Sequence, residues 1–206
     1  MNYAPLFDAI RKIAGRPLTQ AEVDSVNAAL TPSVAALSPD RFSAVLIETL
    51  SHEGGWADHP KDPGGATMKG VTFAVFQAYK PGATKADLRA ITDADLKAIY
   101  RKGYWDKIKG DELPAGVDMV VFDIAVNSGP KRAAEWLQGA VGATVDGVIG
   151  DKTLAKVKAA DARSVIDYLD QRRDRFYRSL GTWTTFGRGW TARRVAVTKR
   201  AREMAA

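Results

Sequence analysis

The sequence predicts a mainly helical protein in which short strands, if any, fall between about residues 56 and 75. Apolar residues recur at helical spacing over most of the chain, and Ser, Thr or Asp precedes many of those runs as a capping signal. Gly, Pro and Asp concentrate between residues 56 and 75, which favours a loop with short extended pieces. The 206 residues are 46% hydrophobic and 26% charged, enough apolar surface for a sizeable core, so disorder is excluded.

Residues 3–14 and 19–30 read as a helical hairpin, because Gly15-Arg16-Pro17 interrupts the pattern and Thr19 with Glu22 makes a capping box. Thr31-Pro32 ends the pair. Ser38-Pro39 then starts a helix, with serine as N-cap and proline in the first turn. Its stripe of Phe42, Val45, Leu46 and Leu50 faces a core, and Glu53 returns to nearly the same face about three turns after Phe42. Gly54-Gly55 supplies a glycine to close the helix, leaving Glu53 in the last turn beside open backbone. Thr84 with Asp87 and Thr92 with Asp95 mark two more helix starts. Pro114 precedes a strongly apolar helix over 117–126, ended by Asn127-Ser128-Gly129, and Pro130 opens another to about Val141. A turn-rich stretch over 142–150 separates these from helices over 151–179, with a break near 160, and 191–204. Three units are expected: a hairpin over 1–37, a lobe over 38–112 and a helical lobe over 113–206.

Cysteine is absent and there are two histidines, His52 and His59, so a thiolate or histidine-rich metal site is not expected and neither is a cofactor. No segment approaches the roughly 20 apolar residues that span a bilayer, and the N-terminus lacks the pattern of an export signal. The net charge of +6 is uneven: residues 163–206 hold eleven Lys and Arg against four acids. A basic terminal quarter suits a polyanion, or is a solvated helix face.

Taken alone, an inward glutamate at a helix end is either a paired core acid or a catalytic one. Three neighbours favour chemistry: Gly-Gly directly after it, an acidic glycine-rich loop, and threonines at the loop's far end, in EGGWADHPKDPGGATMKGVTF. A glycosidase needs a proton donor, usually a carboxylic acid in a desolvated setting, and a group on the opposite sugar face. Glu53 is placed for the first role. Asp62 in the loop, and Thr67 or Thr72 beyond it, are candidates for the second, although Asp-Pro-Gly-Gly is also a favourable turn and the threonines also suit short strands.

The stretch from Ile47 to Phe73 closely resembles the N-terminal motif of glycoside hydrolase family 108, bacterial and phage N-acetylmuramidases with a lysozyme-like α+β fold. The resemblance continues through Ile99-Tyr100-Arg101, Tyr104-Trp105-Asp106, Leu113-Pro114, and Phe122-Asp123-Ile124-Ala125-Val126-Asn127-Ser128-Gly129. That last run, with Leu137-Gln138, Asp146-Gly147, Gly150 and Thr153-Leu154, looks like the predicted peptidoglycan-binding region attached to this family. In the family, the glutamate of Glu-Gly-Gly is the catalytic acid, which implies that role for Glu53. The order of Glu53, Asp62 and Thr67 also resembles the Glu, Asp, Thr set of phage lysozymes, but differs by one residue before the threonine.

The resemblance implies hydrolysis of the β-1,4 bond between N-acetylmuramic acid and N-acetylglucosamine by a monomeric endolysin. Without an export signal, such a protein is expected to wait in the host cytoplasm for release through a holin lesion. Lytic transglycosylation and wall binding without cleavage are the alternatives. Asn127 is a candidate substrate contact or a helix cap, and Tyr104 and Trp105 are candidate sugar-stacking residues with core packing as the default. The tail carries Trp183, Phe186 and Trp190 among Arg188, Arg193, Arg194, Lys199 and Arg200. Either it binds anionic envelope lipid or lipopolysaccharide, or Val195 packs it on the core while the arginines meet wall or solvent. It lacks a nucleic-acid recognition motif, so nucleic acid is not an expected partner.

Overall fold

The computed structural model describes residues 40–58 and 65–205, together with Thr19. The expected hairpin over 1–37 (Thr19 apart), the helix start at Ser38-Pro39, and both His59 and Asp62 lie outside the described residues. Residues 41–206 form one compact unit, undivided at 112–113.

Helix α1 (Arg41–Ser51) buries Phe42, Val45, Leu46 and Thr49. Its first residue is an anchor: Arg41 Nε pairs with Asp118 at 2.7 Å, and Nη2 donates to the carbonyls of Gly110, Asp111 and Leu113. The helix stops two residues short of Glu53 rather than containing it. His52 N–H donates to Thr49 O and Glu53 N–H to Leu50 O, a tightened i→i−3 turn, and neither Gly54 nor Gly55 adopts positive φ. The glycines therefore do not close the helix in the expected left-handed way.

Ala57 bridges Thr67, which opens a two-stranded antiparallel sheet of β1 (Thr67–Met68) and β2 (Val71–Thr72) with Thr67 opposite Thr72. Lys69 and Gly70 form the tip, both with positive φ. Thr72 then caps α2 (Phe73–Tyr79) by accepting from Val75 N–H. Capping boxes at Thr84 and Thr92 start α3 (Lys85–Arg89) and α4 (Asp93–Tyr100), as their spacing predicts. A π-helical turn over Arg101–Trp105 extends α4 and turns Tyr104 and Trp105 toward the centre.

The centre is α5 (Val117–Ser128), in which every residue from Val117 to Ala125 is buried. Phe122 meets Phe42 and Trp105 at ring separations of 6.0 and 5.6 Å, joining α1 and the π turn to α5. Against it pack α6 (Pro130–Ala140), α8 (Ala162–Arg178) and α9 (Trp183–Met204), while α7 (Asp151–Ala159) packs on α8. The break near 160 falls where the spacing predicts, whereas α9 begins eight residues before the expected 191.

Three helices run in fixed register. A Cβ on Gly116 would lie 2.2 Å from Ala201 O and 3.2 Å from Ile166, while seven residues on, Asp123 meets Arg173 and Arg193. Thus α8 runs parallel to α5 and α9 antiparallel to both. Val197 and Ala201 seat α9 on the core; Val195, the residue expected to do so, is 53% exposed.

Candidate active site

Glu53 sits just past the end of α1, with 18% of its side chain exposed. Arg193 Nη1 donates to Glu53 Oε1 at 2.7 Å. Below the other oxygen is the hairpin tip: a Cβ added to Gly70 would lie 2.9 Å from Glu53 Oε2 and 2.5 Å from the Tyr100 hydroxyl. Gly70 has φ +76, so a residue without a side chain is required there on both counts. Tyr100 O–H donates to Lys69 O at 2.9 Å and holds the tip in place. Burial, followed by the charge of Glu53, pushes the Tyr100 phenol upward, so it stays protonated as a donor.

Behind Glu53 the polar groups continue into the core. Asp123 is fully buried, and its Oδ1 accepts from Arg193 Nε and Nη2 at 2.9 and 2.8 Å. Its Oδ2 accepts from Arg173 Nη2, and Arg173 Nε donates to the Tyr177 hydroxyl at 2.8 Å. Burial works against charge on Asp123, but Arg173 and Arg193 together outweigh it and hold the carboxyl below the usual carboxylate range. Two arginines and two carboxylates therefore alternate along one chain of charge-assisted hydrogen bonds. Arg193 and Arg194 are thus turned inward, the latter pairing with Asp170 at 2.6 Å, rather than reaching wall or solvent as expected of the basic tail.

Of the predicted residues, Tyr104 lies beside this cluster: its ring is 5.6 Å from Tyr100, and its phenol is pushed upward by burial and then by Glu53. Thr67 and Thr72 stand opposite each other behind the tip; Thr67 O–H donates to Gly65 O and Thr72 serves as the α2 cap. Asn127 lies within α5 rather than beyond its end. It is exposed, and Nδ2 donates back to Asp123 O at 2.7 Å. Trp105 is a correction. Its ring is fully buried beneath Gly110 and its Nε1–H donates to Asp111 Oδ1, so no face is left for a sugar. Among the described residues no group of three or more His, Cys, Asp or Glu is gathered as metal ligands are.

Asp123, Arg173, Arg193, Tyr100 and Gly70 were not foreseen as site residues. One signal was present: an aspartate inside Val-Val-Phe-Asp-Ile-Ala-Val must find buried cationic partners. Nothing local says which.

A nearly enclosed carboxylate over a glycine hairpin tip, with a mainly helical body and a two-stranded sheet among the described residues, fits a lysozyme-like glycoside hydrolase. The comparisons agree. The Glycosyl hydrolase 108 family model matches residues 46–129, a span that includes Glu53, the hairpin and all of α5. The chain is also similar to the solved structure of Brucella abortus SagA, with 45% identity and a TM-score of 0.72, over 80% of this chain and 95% of that one. This chain belongs to glycosyl hydrolase family 108 and is a peptidoglycan-hydrolysing glycosidase. No curated protein matches it.

Proposed function

We propose that the enzyme is an N-acetylmuramidase of the lysozyme type, hydrolysing the β-1,4 bond between N-acetylmuramic acid and N-acetylglucosamine with Glu53 as general acid. The observation that carries this reading is the setting of Glu53. Arg193 fixes Oε1 from the protein side, and Oε2 is set by the close-packed glycine tip, while 18% of the side chain stays open to a ligand. Asp62, or a water held by Thr67, serves the opposite face of the sugar, and Tyr104 lines the acid's side of the cleft. The substrate is the wall of a bacterial host and the role is that of an endolysin, which waits in the cytoplasm until released.

Mass spectrometry of peptidoglycan digested by wild type and by Glu53→Gln tests the assignment. Reducing muramic acid ends from wild type alone support it. Anhydro-muramic ends would make the enzyme a lytic transglycosylase, and equal cutting by both proteins would remove Glu53 from the mechanism.

A further inference from the structure

The face of α9 that carries Arg193 does not end at the candidate site. Phe186, Trp190, Arg193 and Val197 follow one another at spacings of four, three and four residues and so lie on one stripe. Val197 is fully buried, Arg193 is 11% exposed beside Glu53, Trp190 is half-buried, and Phe186 is 53% exposed. A single helix face thus passes from core, through the site, to an open aromatic surface.

The register of α5, α8 and α9 fixes what lies beside it. One turn beyond Asp123 and Arg173 come Asn127 on α5 and Tyr177 on α8, and Trp190 stands one turn back from Arg193 on antiparallel α9. Contacts agree with this stacking: the Trp190 ring is 5.2 Å from Tyr177 and 5.8 Å from Phe186. Tyr177 anchors Trp190 from below, so the indole is held in place before any ligand arrives. Asn127 spends its amide N–H on Asp123 O, which leaves its exposed carbonyl oxygen to accept from a ligand hydroxyl or amide. From Arg193 to Phe186 is seven residues, about 10 Å along the helix.

We propose that Phe186 and Trp190, flanked by Asn127, form an arm that binds the glycan strand of the substrate beyond the sugars at the cut bond. The exposed Phe186 ring, backed by Trp190, stacks on the apolar face of a pyranose, and the asparagine accepts from an N-acetyl amide or hydroxyl. The occupant follows from continuity: the stripe that touches Glu53 through Arg193 reaches exposed Phe186 about 10 Å farther along α9, so a strand that leaves the carboxylate in that direction meets the ring. The inference rests on the muramidase reading for the identity of the cleft, and makes the enzyme one that favours long strands.

The test uses the full chain carrying Glu53→Gln, so that binding is read without turnover. Binding of solubilised long glycan strands is compared for this protein, for the same protein with Phe186→Ala, and with Val195→Ala as an exposed apolar control elsewhere on α9. Removal of one stacking ring is expected to raise Kd about two- to tenfold, with no change for the control. Asn127→Ala should weaken binding in the same direction, and the loss should shrink as the strand is shortened. Unchanged strand binding in Phe186→Ala would overturn the proposal. So would a loss confined to vesicles of anionic phospholipid or lipopolysaccharide, which would assign the face to the envelope lipid. If Glu53→Gln still cuts the wall, the acid is misassigned, yet the binding comparison still decides whether the arm exists.

Discussion

Asparagine at position 123 keeps the shape of the aspartate and removes the negative charge that Arg173 and Arg193 share. The Arg173 side chain is 2% exposed and that of Arg193 11%, so neither guanidinium has ready access to water as a substitute. Leaving a buried charge without its partner costs about 3–5 kcal/mol, a large part of the roughly 5–15 kcal/mol that holds a domain together. At about 2–4 °C per kcal/mol for a unit of this size, Asp123→Asn should lower Tm by roughly 6–20 °C. Scanning calorimetry at neutral pH measures it, with a wall-lysis assay well below the new Tm as companion. Because the Asp123 carboxyl is held below the usual range, its contribution is complete above the unfolded carboxylate pKa and disappears as pH falls through the lowered value. The gap in Tm between the two proteins should therefore be constant from pH 6 to 8, about neutrality, and close only in strong acid. A Tm within about 2 °C of wild type, well under the expected fall, would refute the claim that the two arginines depend on this carboxylate.

Arg193→Gln should leave substrate affinity nearly intact while lowering kcat on wall fragments, with Lys a poor replacement because one ammonium cannot span Glu53 and both bonds to Asp123; steady-state kinetics separate the terms. Gly70→Ala places a methyl against Glu53 and Tyr100 and should lower kcat about a hundredfold, as displacements of that order do, whereas Gly82→Ala, in open space at similar φ, should affect stability alone. Asp118 titrates near 6 because burial outweighs its pairing with Arg41. The native state thus holds a proton that the unfolded chain has already released, and stability should fall as pH rises from about 4 through 6, a slope that Asp118→Asn removes in urea titrations at each pH. Gln138 accepts from the N–H groups of Asp146 and Gly147 and donates to Asp146, Val148 and Thr153, so Gln138→Ala should loosen the 142–150 loop, seen as faster amide exchange confined to that loop.

What could be read from the sequence was what depends on neighbours in the chain. Capping residues three apart marked the starts of α3 and α4, whereas Glu53 stands past the end of α1 in a tightened turn, beyond the reach of the helical periodicity that put it on the Phe42 face. The far half of the site is built from Arg193, seventy residues from Asp123 and 140 from Glu53, and pairings at such separations leave no local pattern. The early start of α9 was hidden for another reason. Gly187 and Gly189 weaken its intrinsic helix preference, and what compensates is packing: the Trp183 ring lies directly over Gly187, and Trp190 gathers Tyr177, Phe186 and Trp183 around it. Trp105 was a candidate for sugar stacking because its aromaticity was visible, whereas the π turn and Gly110 that enclose it were not.

The link between Glu53 and Arg193 also makes the geometry of an early residue depend on a much later helix. Glu53 precedes its guanidinium partner by 140 residues, so during synthesis it emerges well before the helix that aims it. Until α9 docks, Glu53 and Asp123 lack the cation that sets their geometry, so a nascent or C-terminally clipped chain carries the acid without its alignment.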